Sequence, residues 1–184
     1  MTTRTASLAF VLALAAPCIA NAADYTVQTG STLGFTSNFQ GSSFDGRFNK
    51  WTAAISYDAA KLASSKFDVT VDLSTAKTGD NDRDSALPGP DFFNTTKYPQ
   101  AHFVTTAFHQ QGSQVIADGM LTLRGVTKPV SLNVVFKPQG NGATLDVTGT
   151  VKRLDFGVGG GQYADTSVIG PDVKVTAHLL LAAK

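Results

Sequence analysis

The strongest constraint on the fold of this chain is a period of two in its apolar residues. In five separate stretches, alternate positions are apolar and the positions between them are mostly polar, as from Phe67 to Leu73 and from Val173 to Leu181. Successive side chains of a β-strand point to opposite faces, so this pattern predicts strands with one buried face. All 14 acidic residues are Asp, which suits turns and caps better than helix interiors. The sequence therefore predicts an all-β protein.

Turn residues divide the chain into short strands of regular spacing. The remaining alternating rows run over 115–123, 130–136 and 145–151. Less regular strands are predicted at 25–28, 32–39, 44–57 and 101–108. In the third of these, the apolar positions change from even to odd numbers, which predicts a bulge near Asn49 and Lys50. Short antiparallel strands of this kind favour a sandwich or a barrel.

The connection from Ser74 to Gln100 is too long for a hairpin loop and should carry structure of its own. The pattern from Asp80 to Leu87 predicts a short helix, which Pro88-Gly89-Pro90 would end. Phe92 and Phe93 follow in a polar context and require apolar surroundings. We interpret them as a lid packed on the core or as a flap over a ligand mouth, and the two interpretations are compatible.

The N-terminal residues have the pattern of an export signal. Arg4 precedes an apolar run from Leu8 to Ala16, and Ala20-Asn21-Ala22 provides a cleavage site with small residues at both ends. The run is too short to span a hydrocarbon layer of about 30 Å. We expect a cleaved signal peptide at 1–22, followed by one domain at 23–184.

The sequence contains no recognisable catalytic or metal-binding motif. His102, His109 and His178 do not have ligand spacing, and His102 and His178 are expected to face solvent. No helical pattern follows Gly157–Gly161, which predicts a mobile hairpin connection and not a phosphate loop. The 15 basic and 14 acidic residues give no electrostatic footprint for nucleic acid. We expect no catalytic residue, no cofactor, no metal and no nucleic-acid partner.

Arg153 and Asp155 would extend the inward row of residues 145–151 if the alternation persisted. A charge pair on the apolar side costs several kcal/mol of desolvation unless its geometry offsets the loss. Two interpretations are open: an ion pair that holds the end of the barrel, or contact with the polar head of a ligand. A bulge near Leu154 would instead turn Leu154 and Phe156 inward.

The 12 Phe residues raise the question of an apolar ligand. A barrel of about eight strands is just wide enough to be filled by side chains or to hold one small ligand. An apolar chain would fit, since each buried methylene contributes about 0.8 kcal/mol. A solid core satisfies the same periodicity. The candidate ligand-binding residues are Phe35, Phe39, Phe44, Phe48, Phe67, Phe92, Phe93, Phe103, Leu121, Leu123, Phe136, Arg153 and Phe156.

Five segments in chain order carry a resemblance to a known family. They are Tyr25-Thr-Val with Ser31-Thr-Leu-Gly-Phe35; Phe44-Asp-Gly-Arg-Phe48; the central group Asp72-Leu-Ser, Asn81-Asp-Arg-Asp, Asp91-Phe-Phe-Asn94 and Lys97-Tyr-Pro-Gln-Ala-His-Phe103; Asp118-Gly-Met-Leu-Thr-Leu-Arg-Gly-Val-Thr-Lys-Pro-Val130; and Arg153-Leu-Asp-Phe-Gly157. Together they resemble the YceI-like family of bacterial periplasmic proteins.

This resemblance implies a lipocalin-like antiparallel β-barrel of about eight strands with a short helix in the 74–100 connection. It implies a periplasmic carrier that holds an isoprenoid lipid, a polyprenyl chain or a quinone, without catalysis. Some relatives are associated with cytochrome b-type membrane proteins, which makes such a protein a candidate partner. Relatives often carry His where this chain has Gly30 and Phe39, so a more apolar mouth is expected.

Three alternatives to a soluble carrier are open at this stage. The barrel could be a ligand-free structural or stress-related interaction module with a solid core. It could be an enzyme acting on a lipid, with Arg153, Asp155 and His102 as the only candidates for its chemistry. It could be an outer-membrane barrel with a polar lumen. A homodimer would cover an open mouth, although no self-complementary patch is visible in the sequence.

Overall fold

The computed structural model of the chain describes residues 22–184. The predicted signal peptide lies outside the described residues, apart from Ala22. The described part contains eleven strands, one α-helix and four short 3-10 turns. The strands and helix are β1 (Ala23–Val27), β2 (Thr32–Phe39), β3 (Ser42–Phe48), β4 (Trp51–Tyr57), β5 (Lys66–Asp72), β6 (Ala76–Lys77), α1 (Asn81–Ala86), β7 (Gln100–Gln111), β8 (Gln114–Leu123), β9 (Val126–Gln139), β10 (Gly142–Lys152) and β11 (Asp172–Ala183). The 3-10 turns are Leu62–Ser64, Leu73–Thr75, Arg153–Phe156 and Gly161–Tyr163.

Eight strand positions close into an antiparallel barrel. The hydrogen-bonded ring runs β1-β4-β5-β7-β8-β9-β10-β11, and β11 pairs back to β1. At one end, called the upper end here, β2 takes over from β1 beside β11, and β3 and β6 extend the wall. The opposite end is called the lower end. The predicted antiparallel barrel of about eight strands is confirmed.

The inward faces of the strands are the predicted apolar rows. Facing positions on neighbouring strands, such as Val71 with Ala101 and Val147 with Val134, belong to these rows. The change of parity near Asn49 falls at a bend between β3 and β4, where the sequence analysis expects a bulge. The rows therefore meet inside one barrel, as the period of two predicts.

The 74–100 connection carries α1 and covers the upper end. Asp80 is the N-cap of the helix, and its side chain accepts a hydrogen bond of 3.0 Å from the Arg83 backbone N–H. Such a cap satisfies a donor that the first helical turn leaves free. The helix ends next to Leu87, before Pro88, so the predicted helix is confirmed with bounds one residue shorter at each end.

An aromatic cluster fills the lower end of the barrel. Phe67 and Phe108 pack edge to face with centroids 4.9 Å apart, and Tyr57 packs 4.5 Å from Phe136. Tyr25 continues the contact, with its centroid 5.6 Å from that of Phe136. Burial, with a smaller effect of the Asp58 carboxylate, raises the pKa of Tyr57. The interior is therefore solid at this end.

Candidate functional site: an apolar interior with two chambers

Above the aromatic cluster, the interior of the barrel contains two adjoining chambers. The deep chamber has a volume of about 140 Å³, and all its lining side chains are apolar. The upper chamber has a volume of about 170 Å³, and Ser37 and Arg153 are the only polar side chains among the described residues that line it. Each is close to the size of an apolar cavity of about 150 Å³ that takes up benzene. The chambers adjoin each other, because they share four lining residues, Val71, Leu121, Val151 and Val175.

A groove beside α1 forms a mouth to the upper chamber. Phe44, Leu87 and Phe92 line both the groove and the chamber. The Arg83 guanidinium lies over the ring of Phe44, 4.5 Å from its centroid, and its Nη1 is 3.6 Å from the Asp80 carboxylate. The mouth, the upper chamber and the deep chamber thus follow one another, each sharing lining residues with the next, with polar residues at the mouth and apolar residues inside.

Phe92 and Phe93 differ in position: one lies at the mouth, as expected for a flap, and the other packs on the core, as expected for a lid. Phe93 is buried and lies 6.2 Å from the ring of Phe48, as a core residue would. Phe92 is half-buried and its centroid lies 5.1 Å from that of Tyr163 across the mouth. Phe93 therefore anchors the lid, and Phe92 lies where a flap would be.

Residues 25–181 match the family profile described as YceI-like domain. The chain belongs to the YceI-like family. A UPF0312 protein of Shewanella baltica is 35% identical to it over 156 residues, which cover 79% of this chain and 82% of the relative. A UPF0312 protein of Pseudomonas syringae pv. tomato is 34% identical over 166 residues, which cover 84% and 86%. The predicted family is confirmed.

Solved structures share the YceI-like barrel. Burkholderia cenocepacia BcnA superposes with a TM-score of 0.80 at 30% identity, covering 84% of this chain and 99% of BcnA. The Campylobacter jejuni YCEI protein gives 0.69 at 25% identity, covering 78% and 86%. A polyisoprenoid binding domain from Saccharophagus degradans gives 0.67 at 19% identity, covering 89% and 100%, and shows the fold.

The YceI-like barrel brings most of the predicted site residues together. The upper chamber is lined by Phe35, Phe44, Phe48, Phe92, Phe93, Leu121, Leu123 and Arg153. The deep chamber is lined by Phe67, Phe103 and again Leu121, while Phe39 lines the mouth. Besides Phe39, two candidates line neither chamber: Phe136, which belongs to the lower aromatic cluster, and Phe156, which is buried in the 3-10 turn Arg153–Phe156.

Several lining residues are not among the predicted site residues. Trp51, Val69, Val147 and Ala177 line the deep chamber, and each lies on a row that the alternation identifies. The period of two therefore marks these residues as inward, although they are not Phe. Tyr163 at the mouth lies in a segment without periodicity, so no comparable signal marks it.

Arg153 does not pair with Asp155, so the ion pair expected for the end of the barrel is wrong. β10 ends at Lys152 and a 3-10 turn begins, which breaks the alternation. Asp155 instead lies 3.7 Å from Lys128, and Leu154 is exposed. Phe156 is buried outside the chambers. The turn therefore removes the geometric basis of the expectation.

The guanidinium of Arg153 is buried, and all its N–H groups form hydrogen bonds to backbone carbonyls. Its five N–H groups donate to five carbonyl oxygens, those of Val158, Gly159, Tyr163, Ile169 and Gly170. Desolvation lowers the pKa of this guanidinium. No donor is left for the head of a ligand without the loss of a carbonyl contact. The Gly157–Gly161 segment, expected to be a mobile connection, supplies two of these carbonyls, those of Val158 and Gly159. The bonds to Arg153 hold the segment in place.

Each histidine pairs with an aspartate on the outer wall. His102 Nε2 lies 2.7 Å from Asp68, and His178 Nδ1 lies 2.6 Å from Asp146. Both rings are about half exposed, as the alternation predicts. In residues 22–184, no three His, Cys, Asp or Glu side chains are grouped so that they could hold a metal ion.

The described part of the chain has no helix with the length and apolar character needed to cross a membrane.

Proposed function

We propose that this protein binds an apolar isoprenoid lipid, a polyprenyl chain or a quinone, in the two chambers. The observation that carries the proposal is an apolar interior of two adjoining chambers, closed below by aromatic rings and bordered by the mouth at α1. Ten buried carbons would contribute on the order of 8 kcal/mol before ordering costs. The Saccharophagus degradans domain of the same fold is named for polyisoprenoid binding, which agrees with this proposal.

A binding role fits the polar groups of the interior better than catalysis does. Among the described residues that line the chambers, Ser37 and Arg153 alone are polar, and the Arg153 donors are all bonded to carbonyls. An enzyme would need a convergent acid and base next to its substrate. His102 and Asp155, the other candidates, lie outside the chambers. The volume of the two chambers also argues against a module with a solid core.

The inward apolar rows and the polar outer wall also favour a soluble carrier over an outer-membrane barrel, whose lumen is polar. We include the periplasm in the proposal, on the strength of the export pattern at 1–22. Exchange of the guest with a cytochrome b-type membrane protein rests on the family resemblance. Formation of a homodimer stays a prediction.

Trp51 makes the binding proposal testable without a label. It is the one Trp of the chain and it lines the deep chamber. Titration with a short-chain ubiquinone should quench its fluorescence in a saturable way, and organic extracts of the purified protein should contain an isoprenoid by mass spectrometry. Empty extracts together with unquenched fluorescence would contradict the proposal.

A matched pair of variants locates the bound chain. Leu121 lines both chambers, whereas Met120, next to it on β8, is exposed on the outer wall. Leu121→Phe should narrow the passage and weaken quinone quenching, and Met120→Phe should leave the quenching unchanged. Equal effects of the two variants would place the quinone elsewhere.

Export has its own test. Cells expressing the full chain should release the protein on osmotic shock, and its mass should be that of residues 23–184. Cells expressing residues 23–184 alone should retain the protein. Retention of the full chain in the cytoplasm would contradict the proposed location.

A further inference from the structure

The barrel wall parts between β9 and β10 near the upper end. Their pairing ends at Gly149 with Leu132. Beyond this point, residues 126–131 of β9 pair with β8 alone, and residues 150–152 of β10 pair with β11 alone. A short stretch of each strand therefore has one edge without a partner strand, and we call the space between them the seam.

Two residues mark the seam in the sequence. A methyl group at Gly149 would overlap the Leu132 side chain, so the two strands are in close contact where the pairing ends. Pro129 lies in the unpaired stretch of β9 and has no N–H to give to a ladder. Proline within sheets is confined to edges and bulges, where it also blocks the addition of a partner strand. The seam is thus an edge that a further β-strand would not extend readily.

A cleft of about 570 Å³ lies on the outer side of the seam. Val130 and Val151 line this cleft, and the same two residues line the deep chamber. The wall between solvent and chamber is therefore a single layer of side chains here, without backbone hydrogen bonds between β9 and β10. Side chains change rotamer far more readily than a hydrogen-bonded ladder opens.

The rim of the cleft is cationic. Lys128 faces Leu121 across the β8–β9 pair, on the inward row, yet its ammonium reaches out to 3.7 Å from Asp155 and is about half exposed. Lys152 and Lys174 line the same cleft, and neither forms an ion pair within residues 22–184. Asp155 is the one carboxylate lining the cleft among the described residues, and Lys128 already accompanies it.

The other lining groups include hydrogen-bond donors. The hydroxyls of Thr148 and Thr150 and the amide of Asn133 face the cleft. The mouth beside α1 differs in charge, because Asp80 and Asp82 line it and Arg83 is the only cation there within residues 22–184. A molecule with an anionic head and an apolar tail would therefore find better electrostatic surroundings at the seam than at the mouth.

We propose that the seam binds the anionic head group of an amphiphile whose chain passes between Val130 and Val151 into the deep chamber. The lysines contact the head, phosphate or carboxylate, and the half-exposed Lys128–Asp155 pair is weak enough to be exchanged for it. The inference rests on the proposed function for the tail, and it adds a second entrance and a class of head group.

A pair of probes with the same tail tests this site in the full protein. Dibrominated stearate carries a carboxylate, and its methyl ester carries none; bromine atoms in the deep chamber quench Trp51, which lines it. We expect the acid to bind about tenfold more tightly than the ester, and its affinity to fall with added salt. Farnesyl phosphate should likewise displace the brominated acid at lower concentration than farnesol does, which extends the test from carboxylate to phosphate.

Variants locate the head group. The double variant Lys152→Gln with Lys174→Gln should weaken binding of the acid about fivefold and leave the ester unchanged. The matched control is Lys66→Gln with Lys137→Gln, which removes two exposed charges near the lower end. Asp155→Asn should strengthen binding of the acid, because it removes the one carboxylate of the cleft. This opposite sign separates a charge effect from damage to the fold.

The outcomes separate the two proposals. The head-group site is wrong if the acid and the ester bind with equal affinity. It is also wrong if the seam variants change the affinity for the acid no more than the control variant does. In both cases the chambers remain the site of the tail. If neither probe quenches Trp51, while the protein is folded, the proposed function fails and the seam proposal fails with it.

Discussion

The ring of Phe103 on β7 lies across Gly119 on β8, in the space that a side chain at position 119 would occupy. Both residues are buried, and Phe103 lines the deep chamber. A ring that covers a strand glycine fills the hole left by the missing side chain and lies flat against the wall. The open space of the chamber therefore depends on a residue with no side chain.

We predict that Gly119→Ala pushes the Phe103 ring into the chamber. Overpacking of this kind costs about 1–3 kcal/mol, which urea unfolding would measure. Quinone quenching of Trp51 should weaken at the same time, because the ring takes up guest space. The double variant Gly119→Ala with Phe103→Leu should recover part of both losses, and Met120→Ala on the outer wall is the control. An unchanged quinone affinity in Gly119→Ala would contradict this account of the chamber.

The barrel itself was predictable because five of its strands, β5 and β8 to β11, carry an alternating apolar row. The rows from Phe67 to Leu73 and from Val173 to Leu181 each identify the buried face of their strand from the strand's own sequence. The aromatic lining followed from the same rows. Asp155 was placed on the inward row wrongly because the period of two carries information only while the chain stays extended, and the strand ends at Lys152.

The role of Arg153 and the seam could not be predicted in this way. The carbonyls that surround Arg153 come from residues 158–170, whose sequence has no periodicity. The separation of β9 from β10 depends on which residues of the two strands pair. Pro129 and Gly149 therefore mark the seam only once the register of the strands is known. Tertiary contacts decide both features.

Arg153 should be critical for the stability of the segment 157–171. In Arg153→Met, the side chain keeps much of its length, but five carbonyls lose their donor. Buried polar groups left unpaired make such a change costly, and we expect a loss of about 3–5 kcal/mol in urea unfolding. Amide exchange should rise first in residues 157–171.

Lys137→Met, an exposed change at the lower end, is the control for Arg153. Arg153→Lys should be almost as destabilising as the Met variant, because an ammonium cannot reproduce the planar donor pattern. A loss below about 1 kcal/mol in Arg153→Met would show that water replaces the guanidinium easily.

Asp84 should make the stability of the lid depend on acid pH. Hydrogen bonds, first from the Thr78 backbone N–H and then from its hydroxyl, lower the pKa of the Asp84 carboxyl, and Lys77 adds to the effect. Because folding lowers this pKa, the stabilisation is complete above the unfolded value of about 3.9 and is lost as the pH falls through the folded value. Asp84→Asn should therefore destabilise the protein at pH 7 and have little effect at the acid end.

The control for this pH dependence lies on the same helix. Asp82 makes no side-chain hydrogen bond or ion pair with residues 22–184, so Asp82→Asn changes the charge without removing a contact. Unfolding followed from pH 7 to pH 2 compares the two variants with the unchanged protein. The same pH profile for Asp84→Asn and the unchanged protein would contradict the prediction.

Phe92 and Phe93 should separate guest exchange from stability. Phe93 is buried against Phe48, so Phe93→Ala should cost about 3–5 kcal/mol of unfolding free energy. Phe92 is half-buried at the mouth against Tyr163, so Phe92→Ala should cost less and should mainly open the path to the upper chamber. Stopped-flow displacement of a bound quinone should then show a dissociation rate roughly three- to tenfold higher, in keeping with affinity changes that arise in dissociation.

Leu154→Ala, at an exposed apolar residue away from the mouth, is the control for this exchange rate. If quinone leaves through the mouth, Phe92→Ala speeds its release and Leu154→Ala does not. If release instead passes through the seam, Phe92→Ala leaves the rate unchanged and a substitution at Val130 raises it, because Val130 separates the deep chamber from the cleft. The two variants therefore assign the path of an uncharged guest to one of the two openings.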